Sequence, residues 1–272
     1  MRLATIIEGG REHVGVIEGD LVLPSASGQS MRALAASGPP GLDRLRSWVA
    51  DQPRNAWLPL DAVTLGPAVS DPGAIYTIGL NYRPSGAGGS RDDPDRPPRP
   101  LVYGKVPTSV AGHDGTLRWD RDVTPNVDAE VELGVVIGVD GGVFGYTIID
   151  DVSSRDAWLD GDQWLLGKSM PGFCPVGPWI VTADEFDPTE VRLGCRLGDA
   201  PIQDGSTAAI RYAIDEVLAY LSRHVPLQPG DLIATGTPPR LIDPPGPDRH
   251  LEAGDVVTCW IEGIGELRTI VA

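Results

Sequence analysis

Apolar and polar residues alternate through the first 24 positions, and the alternation is interrupted at the turns Glu8-Gly9-Gly10 and Glu18-Gly19-Asp20. Because side chains two residues apart in a strand share a face, this pattern predicts a small antiparallel meander. Apolar residues then recur at helical spacing within 31–51, on either side of a Gly38-Pro39-Pro40 break. This spacing predicts helical structure after the meander.

From about residue 71 the pattern changes to short strands separated by turns rich in Gly, Pro and Asp. The predicted fold is α+β, mainly β, with a small N-terminal α+β module over residues 1–66 and a main domain over residues 71–272. One further helix is predicted near 207–223, where five apolar residues recur at helical spacing. Pro84 to Pro100 and Pro238 to Pro247 are expected to be surface loops, since they are rich in Pro, Gly and charge.

Composition narrows the classes of function. The 272 residues include 34 glycines and 26 prolines, which favours strands and turns over a coiled coil or helical bundle. A net charge of −16 makes nucleic acid and anionic membranes poor partners. No apolar stretch is long enough for a membrane span or a signal peptide, and the three cysteines form no CxxC pair. A soluble, cytoplasmic protein is expected.

The strongest local signal is VDAEVELGVVIG, residues 127–138. In a strand, Glu130 and Glu132 project from one face, while Val131 and Leu133 face the other way. Two adjacent carboxylates that lead into an apolar strand need a proton or a cation between them, and a hard divalent cation meets that need. The alternative is the solvated face of an edge strand.

A third carboxylate is available in IIDDVSSRD, residues 148–156, where a predicted strand ends in a cluster of acids. Three carboxylates bind Mg²⁺, Mn²⁺ or Ca²⁺ and leave positions for water and substrate oxygens. The alternative for this segment is a strand end followed by a helix cap, with Arg155 paired to a neighbouring acid.

Other motifs do not indicate a site. GDQWLLGKS, residues 161–169, resembles a phosphate-binding loop, but five residues rather than four separate its glycines, and three of them are bulky. GAGG at 86–89 is followed by RDDPDRPPRP, which cannot open the helix that a dinucleotide site requires. The four histidines form no ligand pattern. Lys168 stands out because the chain has two lysines beside twenty arginines, and an ordinary surface lysine is the alternative.

Six blocks, in order along residues 71–272, together resemble the fumarylacetoacetate hydrolase superfamily: YTIGLNYR, DAEVELGVVIG, GYTIIDDVSSRD, GKSMPGFCPVGPWIV, QPGDLIATGTP and LEAGDVVTCWIEGIGELR. The resemblance implies the rolled mixed sheet of that family and a homodimer. It also implies a Mg²⁺ or Mn²⁺ ion bound by Glu130, Glu132 and Asp151.

The same resemblance implies the reaction and the residues that serve it. Family members act on 2-oxo acids and β-dicarbonyl compounds through an enolate, which a cation and an ammonium group stabilise. Lys168 is assigned to that stabilisation, and Tyr82, Arg83 and Thr237 to substrate binding. The expected activity is C–C bond hydrolysis. The alternatives are a tautomerase, decarboxylase or cyclase, and a metal- or ligand-binding homologue without turnover.

The sequence departs from the family pattern at the predicted lid. NYRPSGAGG has Ser85 and Gly88 where family hydrolases carry the His and Glu of NYxxHxxE, a dyad that activates water. Trp158 likewise replaces a Gln that is common in the family. Three residues are candidates for a substitute base, and their spacing selects none of them: Asp92, Asp93 and His113.

Overall fold

The computed structural model describes residues 1–25, 27–83, 93, 95–156, 162–241 and 250–272. Within these residues the helices are α1 (Met31–Ala36), α2 (Gly38–Ala50), α3 (Trp164–Gly167) and α4 (Ile214–Leu221). The strands are β1 (Arg2–Glu8), β2 (Arg11–Glu18), β3 (Leu21–Pro24), β4 (Leu58–Pro59), β5 (Thr64–Leu65), β6 (Ile75–Gly79), β7 (Leu101–Lys105), β8 (Val110–Ala111), β9 (Gly115–Leu117), β10 (Val127–Asp128), β11 (Val131–Ile137), β12 (Val143–Asp150), β13 (Ser153–Ser154), β14 (Cys174–Thr182), β15 (Arg192–Leu197), β16 (Ala200–Ser206), β17 (Leu232–Ala234), β18 (Val256–Ile261) and β19 (Gly265–Val271).

Twelve of these strands form one mixed sheet, whose main path is β4-β3-β2-β1-β14-β12-β11-β17-β6-β7. Most neighbours on this path are antiparallel, while β17 and β6 run parallel. The path places β12, β11, β17 and β6 side by side. These strands carry or border the acidic segments 127–138 and 148–156 and the Gly-Thr-Pro block, residues 236–238. The fold therefore brings these three segments close together.

A second sheet, β16-β15-β18-β19-β9, packs against the first. The apolar core between the two sheets includes Val131, Leu133 and Val135 of β11 together with Leu193 and Leu267 of the smaller sheet. Val131 and Leu133 therefore face this core, as the alternation in the sequence predicts. The mainly β, α+β fold predicted from the sequence is confirmed.

The N-terminal residues form the predicted meander β1-β2-β3 and two helices, which are separated at Ser37. Strand β1 also pairs with β14, with Arg2 opposite Val181 and Leu3 opposite Ile180. The N-terminal strands thus continue the large sheet, and one apolar cluster contains residues from both sides of the predicted boundary. The division into 1–66 and 71–272 stays a prediction from sequence.

The helix predicted near 207–223 begins later, at Ile214, so the first part of that prediction was wrong. Thr207–Ala209 is a short 3-10 turn, and the residues after it are extended because they bind the segment around Asn81. The backbone N–H of Tyr212 donates to Asn81 Oδ1 at 2.9 Å, and Ile210 pairs with Tyr82. Tertiary hydrogen bonds therefore override helical spacing, and they fix the position of Tyr82.

The two predicted loops fall partly outside the described residues. Their described parts, 93, 95–100 and 238–241, contain no regular helix or strand. Among the helices of the described chain, none has the length and apolar character that a bilayer crossing requires.

Candidate active site

A cavity of about 340 Å³ lies where the acidic blocks and the Gly-Thr-Pro block meet. Its charged lining residues are Asp128, Glu130, Glu132, Asp151, Arg155, Lys168 and Arg240. Its apolar and aromatic lining residues include Ile78, Leu80, Tyr103 and Trp164.

Antiparallel pairing of β11 and β12 brings the predicted metal ligands together. Val131 lies opposite Asp150 and Glu132 opposite Ile149, so the start of β11 lies beside the end of β12. The backbone N–H of Asp151 donates to the carbonyl of Glu130 at 2.9 Å. One carboxylate oxygen each of Glu130, Glu132 and Asp151 lies within 4.8 Å of the other two.

These carboxylates are not on a solvated edge. Glu132 is 3% exposed and Asp151 is 1% exposed, while the Glu130 side chain is 14% exposed. The alternative of a solvated strand face is therefore wrong for this segment.

Gly236, in the Gly-Thr-Pro block, supplies a backbone contact that a larger residue would disrupt. Its N–H donates to Glu132 Oε2 at 2.6 Å. Its φ is +100°, and a Cβ at this position would lie 2.7 Å from the Cβ of Asn81. Asn81 is itself fixed, because its side-chain N–H donates to the carbonyl of Thr235 at 2.7 Å. A glycine is thus required where the loop approaches Glu132.

Both lysines of the chain bind Asp151. Lys168 Nζ lies 2.7 Å from Asp151 Oδ2, 3.3 Å from Glu130 Oε2 and 2.6 Å from Ser153 Oγ. Lys105 Nζ lies 2.5 Å from Asp151 Oδ1 and also donates to the carbonyl of Val152. Both lysines are buried, so the alternative of a surface role for Lys168 is wrong.

Arg155 is a further cationic group at the site. It contacts both the acidic triad, which consists of Glu130, Glu132 and Asp151, and Asp128 in the same cavity. Arg155 Nη2 contacts Glu130 Oε1, and its Nε lies 3.1 Å from Asp128 Oδ2. Asp128 Oδ1 also accepts from Arg240 Nη1 at 2.8 Å and is 2.9 Å from His250 Nδ1. Arg155 is thus paired with neighbouring acids, as one interpretation of the sequence predicts.

The three carboxylates differ in how far neighbouring cations compensate their charge. Burial raises the pKa of Asp151, but Lys105 and Lys168 outweigh it and lower that pKa to about 2. Burial also opposes ionisation of Glu130, and Lys168 and Arg155 lower its pKa. For Glu132, burial together with Asp151 and Glu130 raises the pKa well above its usual range.

The residues present therefore fit a divalent metal. Three oxygen donors converge, and the ionisation of Glu132 is held back by the two neighbouring acids. Hard cations such as Mg²⁺ and Mn²⁺ take oxygen ligands and remove that repulsion.

Two of the predicted substrate-binding residues line the same cavity. Thr237 Oγ1 donates to the carbonyl of Val131 at 2.8 Å and accepts from Gln203 Nε2. Tyr82 is 6% exposed, and its hydroxyl has no hydrogen-bond partner among the described residues. Burial and the nearby Glu132 raise the pKa of Tyr82, so the phenol is a neutral donor. Arg83 borders a neighbouring cavity, with Nη2 2.5 Å from the carbonyl of Ala208.

The structure separates two candidate bases from the triad. His113 accepts a hydrogen bond from the backbone of Arg268 and borders a different cavity. Asp93 pairs with Arg211 at 2.7 Å and borders the cavity beside Arg83. Ser85, Gly88, Asp92 and Trp158 lie outside the described residues.

Sequence reasoning missed several residues at the site. Gln203 and Arg240 lie among the lining residues, and no motif in the sequence marks them. Lys105 carried one usable signal, because it is one of only two lysines in the chain. The scarcity of lysine in the sequence thus indicates both residues whose ammonium groups bind Asp151.

Comparison with solved structures places this fold among enzymes. The chain superposes on fumarylacetoacetate hydrolase from psychrophilic Exiguobacterium antarcticum with a TM-score of 0.81 at 30% identity, over 100% of this chain and 99% of that one. Maleylpyruvate hydrolase from Sphingobium sp. SYK-6, in complex with manganese(II) and pyruvate, gives 0.81 at 26% identity over the same shares. A 5-carboxymethyl-2-hydroxymuconate delta-isomerase from Mycobacterium smegmatis gives 0.77 at 27%, again over 100% and 99%.

Sequence comparison agrees with the structural likeness. An uncharacterized protein of Staphylococcus aureus (strain USA300) is 36% identical over 217 residues, which are 76% of this chain and 71% of the relative. The family model described as fumarylacetoacetate (FAA) hydrolase C-terminal matches residues 74–272, which include the acidic triad and both lysines. The chain therefore belongs to the fumarylacetoacetate hydrolase family.

Proposed function

We propose that this protein is a divalent-metal-dependent enzyme that acts on a 2-oxo acid or β-dicarbonyl substrate through an enolate. The proposal rests on one observation: the acidic triad and the Lys168 ammonium converge in a single cavity. The manganese and pyruvate of the Sphingobium enzyme support the same substrate class.

Each residue has a defined part in this proposal. Glu130, Glu132 and Asp151 hold Mg²⁺ or Mn²⁺, which when bound supplies a Lewis acid toward the substrate carbonyl. Lys168 donates to the oxygen on which enolate charge develops. Tyr82 and Thr237 offer neutral hydroxyl groups to the remaining substrate oxygens.

The reaction that follows the enolate has two candidates. C–C hydrolysis is the first candidate, since two of the similar structures are named hydrolases, and it requires a base that deprotonates water. A non-hydrolytic reaction, such as tautomerisation or decarboxylation, is favoured by a specific observation. The described residues that line the cavity include no histidine, and Ser85 and Gly88 occupy the dyad positions in the sequence.

The enolate is tested directly by deuterium exchange. The protein is incubated in D₂O with acetopyruvate or oxaloacetate and Mg²⁺ or Mn²⁺, and exchange at C3 is followed by NMR beside release of CO₂ and loss of enol absorbance. We expect metal-dependent exchange above the rate of metal alone. Glu132→Gln should abolish it, while Glu266→Gln, a matched change at an exposed ion pair with Arg196, should not. Absence of exchange with metal bound would overturn the proposal.

The same substrates distinguish C–C hydrolysis from a non-hydrolytic reaction. We expect the rate of exchange or decarboxylation to exceed the rate of hydrolysis. A base that activates water typically contributes ~10²–10⁴ in rate, and Ser85 and Gly88 replace the dyad that would supply it. The double change Ser85→His with Gly88→Glu should raise hydrolysis. Hydrolysis of acylpyruvates by the unchanged protein at about 10 s⁻¹, the median for enzymes, would favour the hydrolase.

A further inference from the structure

The triad and Lys168 account for only part of the cavity lining. Leu80, Tyr103 and Trp164 line the same cavity and are called the apolar wall below. Neither the metal site nor the stabilisation of an enolate needs these apolar side chains. Their arrangement indicates what the far end of the substrate resembles.

Two stacked aromatic rings belong to this wall. Tyr103 and Trp164 stack with centroids 4.0 Å apart and an interplanar angle of 17°. Gly79 makes room for them, because a Cβ at that position would lie 2.7 Å from the Tyr103 ring. Lys168 Nζ lies over the indole of Trp164, 5.9 Å from its centroid. The stacked pair is therefore next to the ammonium that serves the reacting end of the substrate.

Leu80 contributes to the apolar wall a side chain that is unusually exposed. It is 63% exposed although it lines a cavity, and its backbone is left-handed, with φ +54°. Such a conformation is uncommon for a leucine, and residues held in it cluster at functional sites. Covering Leu80 and Trp164 with an apolar group would remove apolar surface from water.

One buried polar atom interrupts the wall. Thr77 is 2% exposed and lies opposite Tyr103 in the pairing of β6 and β7. Thr77 is one of the residues that line the cavity, and its buried hydroxyl has no hydrogen-bond partner among the described residues. Since buried hydroxyl groups are normally paired, this atom is suited to a ligand oxygen.

We propose that this wall binds an aromatic acyl group, so that the preferred substrate is a 2,4-dioxo acid with an aryl ketone at C4. The inference rests on the proposed function, because the triad and Lys168 must bind the 2-oxo acid end. The aryl ring packs against the stacked pair of Tyr103 and Trp164 and covers Leu80, and the C4 carbonyl oxygen accepts from Thr77. Planar rings gain from stacking beyond the area that they bury, whereas a methyl ketone leaves the wall in contact with water.

The test compares 2,4-dioxo-4-phenylbutanoate with 2,4-dioxopentanoate on the full chain loaded with Mn²⁺. Dissociation constants are measured by rapid-mixing tryptophan fluorescence before turnover, and oxalate serves as the reference for the metal end. We expect the phenyl compound to bind at least about tenfold more tightly than the methyl compound. Trp164→Ala and Tyr103→Leu should each reduce this ratio to about threefold or less.

Two further variants separate the wall from general effects. Trp119→Leu removes an aromatic side chain that packs on Phe173 outside the cavity, and it should keep the full ratio. Thr77→Val should weaken both dioxo acids about three- to tenfold relative to oxalate, since both carry the C4 oxygen. Oxalate that fails to bind would overturn the proposed function and this inference with it. Oxalate binding with equal affinities for the phenyl and methyl compounds would overturn the inference alone.

Discussion

The ammonium nitrogen of Lys105 lies 2.5 Å from Oδ1 of Asp151, and the two side chains are 0% and 2% exposed. Lys168 occupies the other carboxylate oxygen, at 2.7 Å. A buried carboxylate stays ionised only when it is paired and hydrogen-bonded. Lys105 therefore favours the charged form of Asp151 independently of Lys168.

Removing Lys105 should weaken both the fold and the metal site. We expect Lys105→Met to lower the free energy of unfolding by about 3–5 kcal/mol, since breaking a buried pair leaves one charge without its partner. Mn²⁺ affinity should fall with it. Chemical denaturation and calorimetric titration measure the two effects. Arg46→Met, which breaks the exposed pairs with Asp43 and Asp184 outside the cavity, should leave Mn²⁺ affinity unchanged. An unchanged affinity in Lys105→Met would contradict the prediction.

Metal binding should stabilise the folded protein. At a hundredfold excess over the dissociation constant, a metal that binds only the folded state adds about 2.7 kcal/mol. Thermal unfolding with and without Mn²⁺ measures this gain. Glu132→Gln removes one of the three oxygen donors and should lose most of it, while Glu266→Gln should retain it. A Glu132→Gln protein with the full Mn²⁺ shift would show that the triad does not bind the metal.

Metal binding should also release a proton. Without metal, burial together with Asp151 and Glu130 raises the pKa of Glu132 well above its usual range, and the metal requires the carboxylate form. Mn²⁺ affinity should therefore rise with pH until that raised pKa is passed. Without metal, the folded state binds a proton that the unfolded chain has released, so the free energy of unfolding falls as pH rises between the usual and raised pKa.

Calorimetry in two buffers with different ionisation enthalpies counts the protons released per Mn²⁺ ion. We expect a release near one at a pH below the raised pKa of Glu132. A titration with no buffer dependence in that range would contradict the raised pKa.

Lys168 should matter for turnover and not for metal binding. Loss of a preorganised donor typically lowers turnover by ~10²–10³, and we expect Lys168→Met to show that loss on any substrate that undergoes C3 exchange. Its Mn²⁺ affinity should be largely kept, because Lys105 still pairs with Asp151 in this variant. Full turnover in Lys168→Met would mean that the assigned role is wrong.

The local spacing of residues predicts two of the three acids in the triad. The alternation in β11 identifies Glu130 and Glu132, but the following acidic cluster offers three aspartates at similar spacing. Only the family resemblance selects Asp151. In the structure, Asp150 accepts from the backbone of Glu130 and Asp156 from the side chain of Asn126. The other two aspartates are thus held by hydrogen bonds to residues 20 and 30 positions earlier in the chain, and local spacing does not encode such bonds.

The contact between Lys105 and Asp151 cannot be predicted from the local spacing of residues. Its strand, β7, lies four places from β12 in the sheet order, which corresponds to about 19 Å in a flat sheet. A lysine side chain does not span that distance, so its contact with Asp151 exists because the sheet curls. Curvature depends on packing over the whole domain, and a short sequence window contains no sign of it.

The pairing of β1 with β14 has a consequence for anyone who recombines members of this family. The region that the family model matches begins at residue 74, but one edge of β14 is covered by Arg2 and Leu3. A gene fragment that encodes only the matched region would expose that edge and the apolar residues beside it, and exposed edges pair with other chains. An exchange of N-terminal modules between relatives must therefore keep the register of Leu3 with Ile180, or the recombinant protein will aggregate.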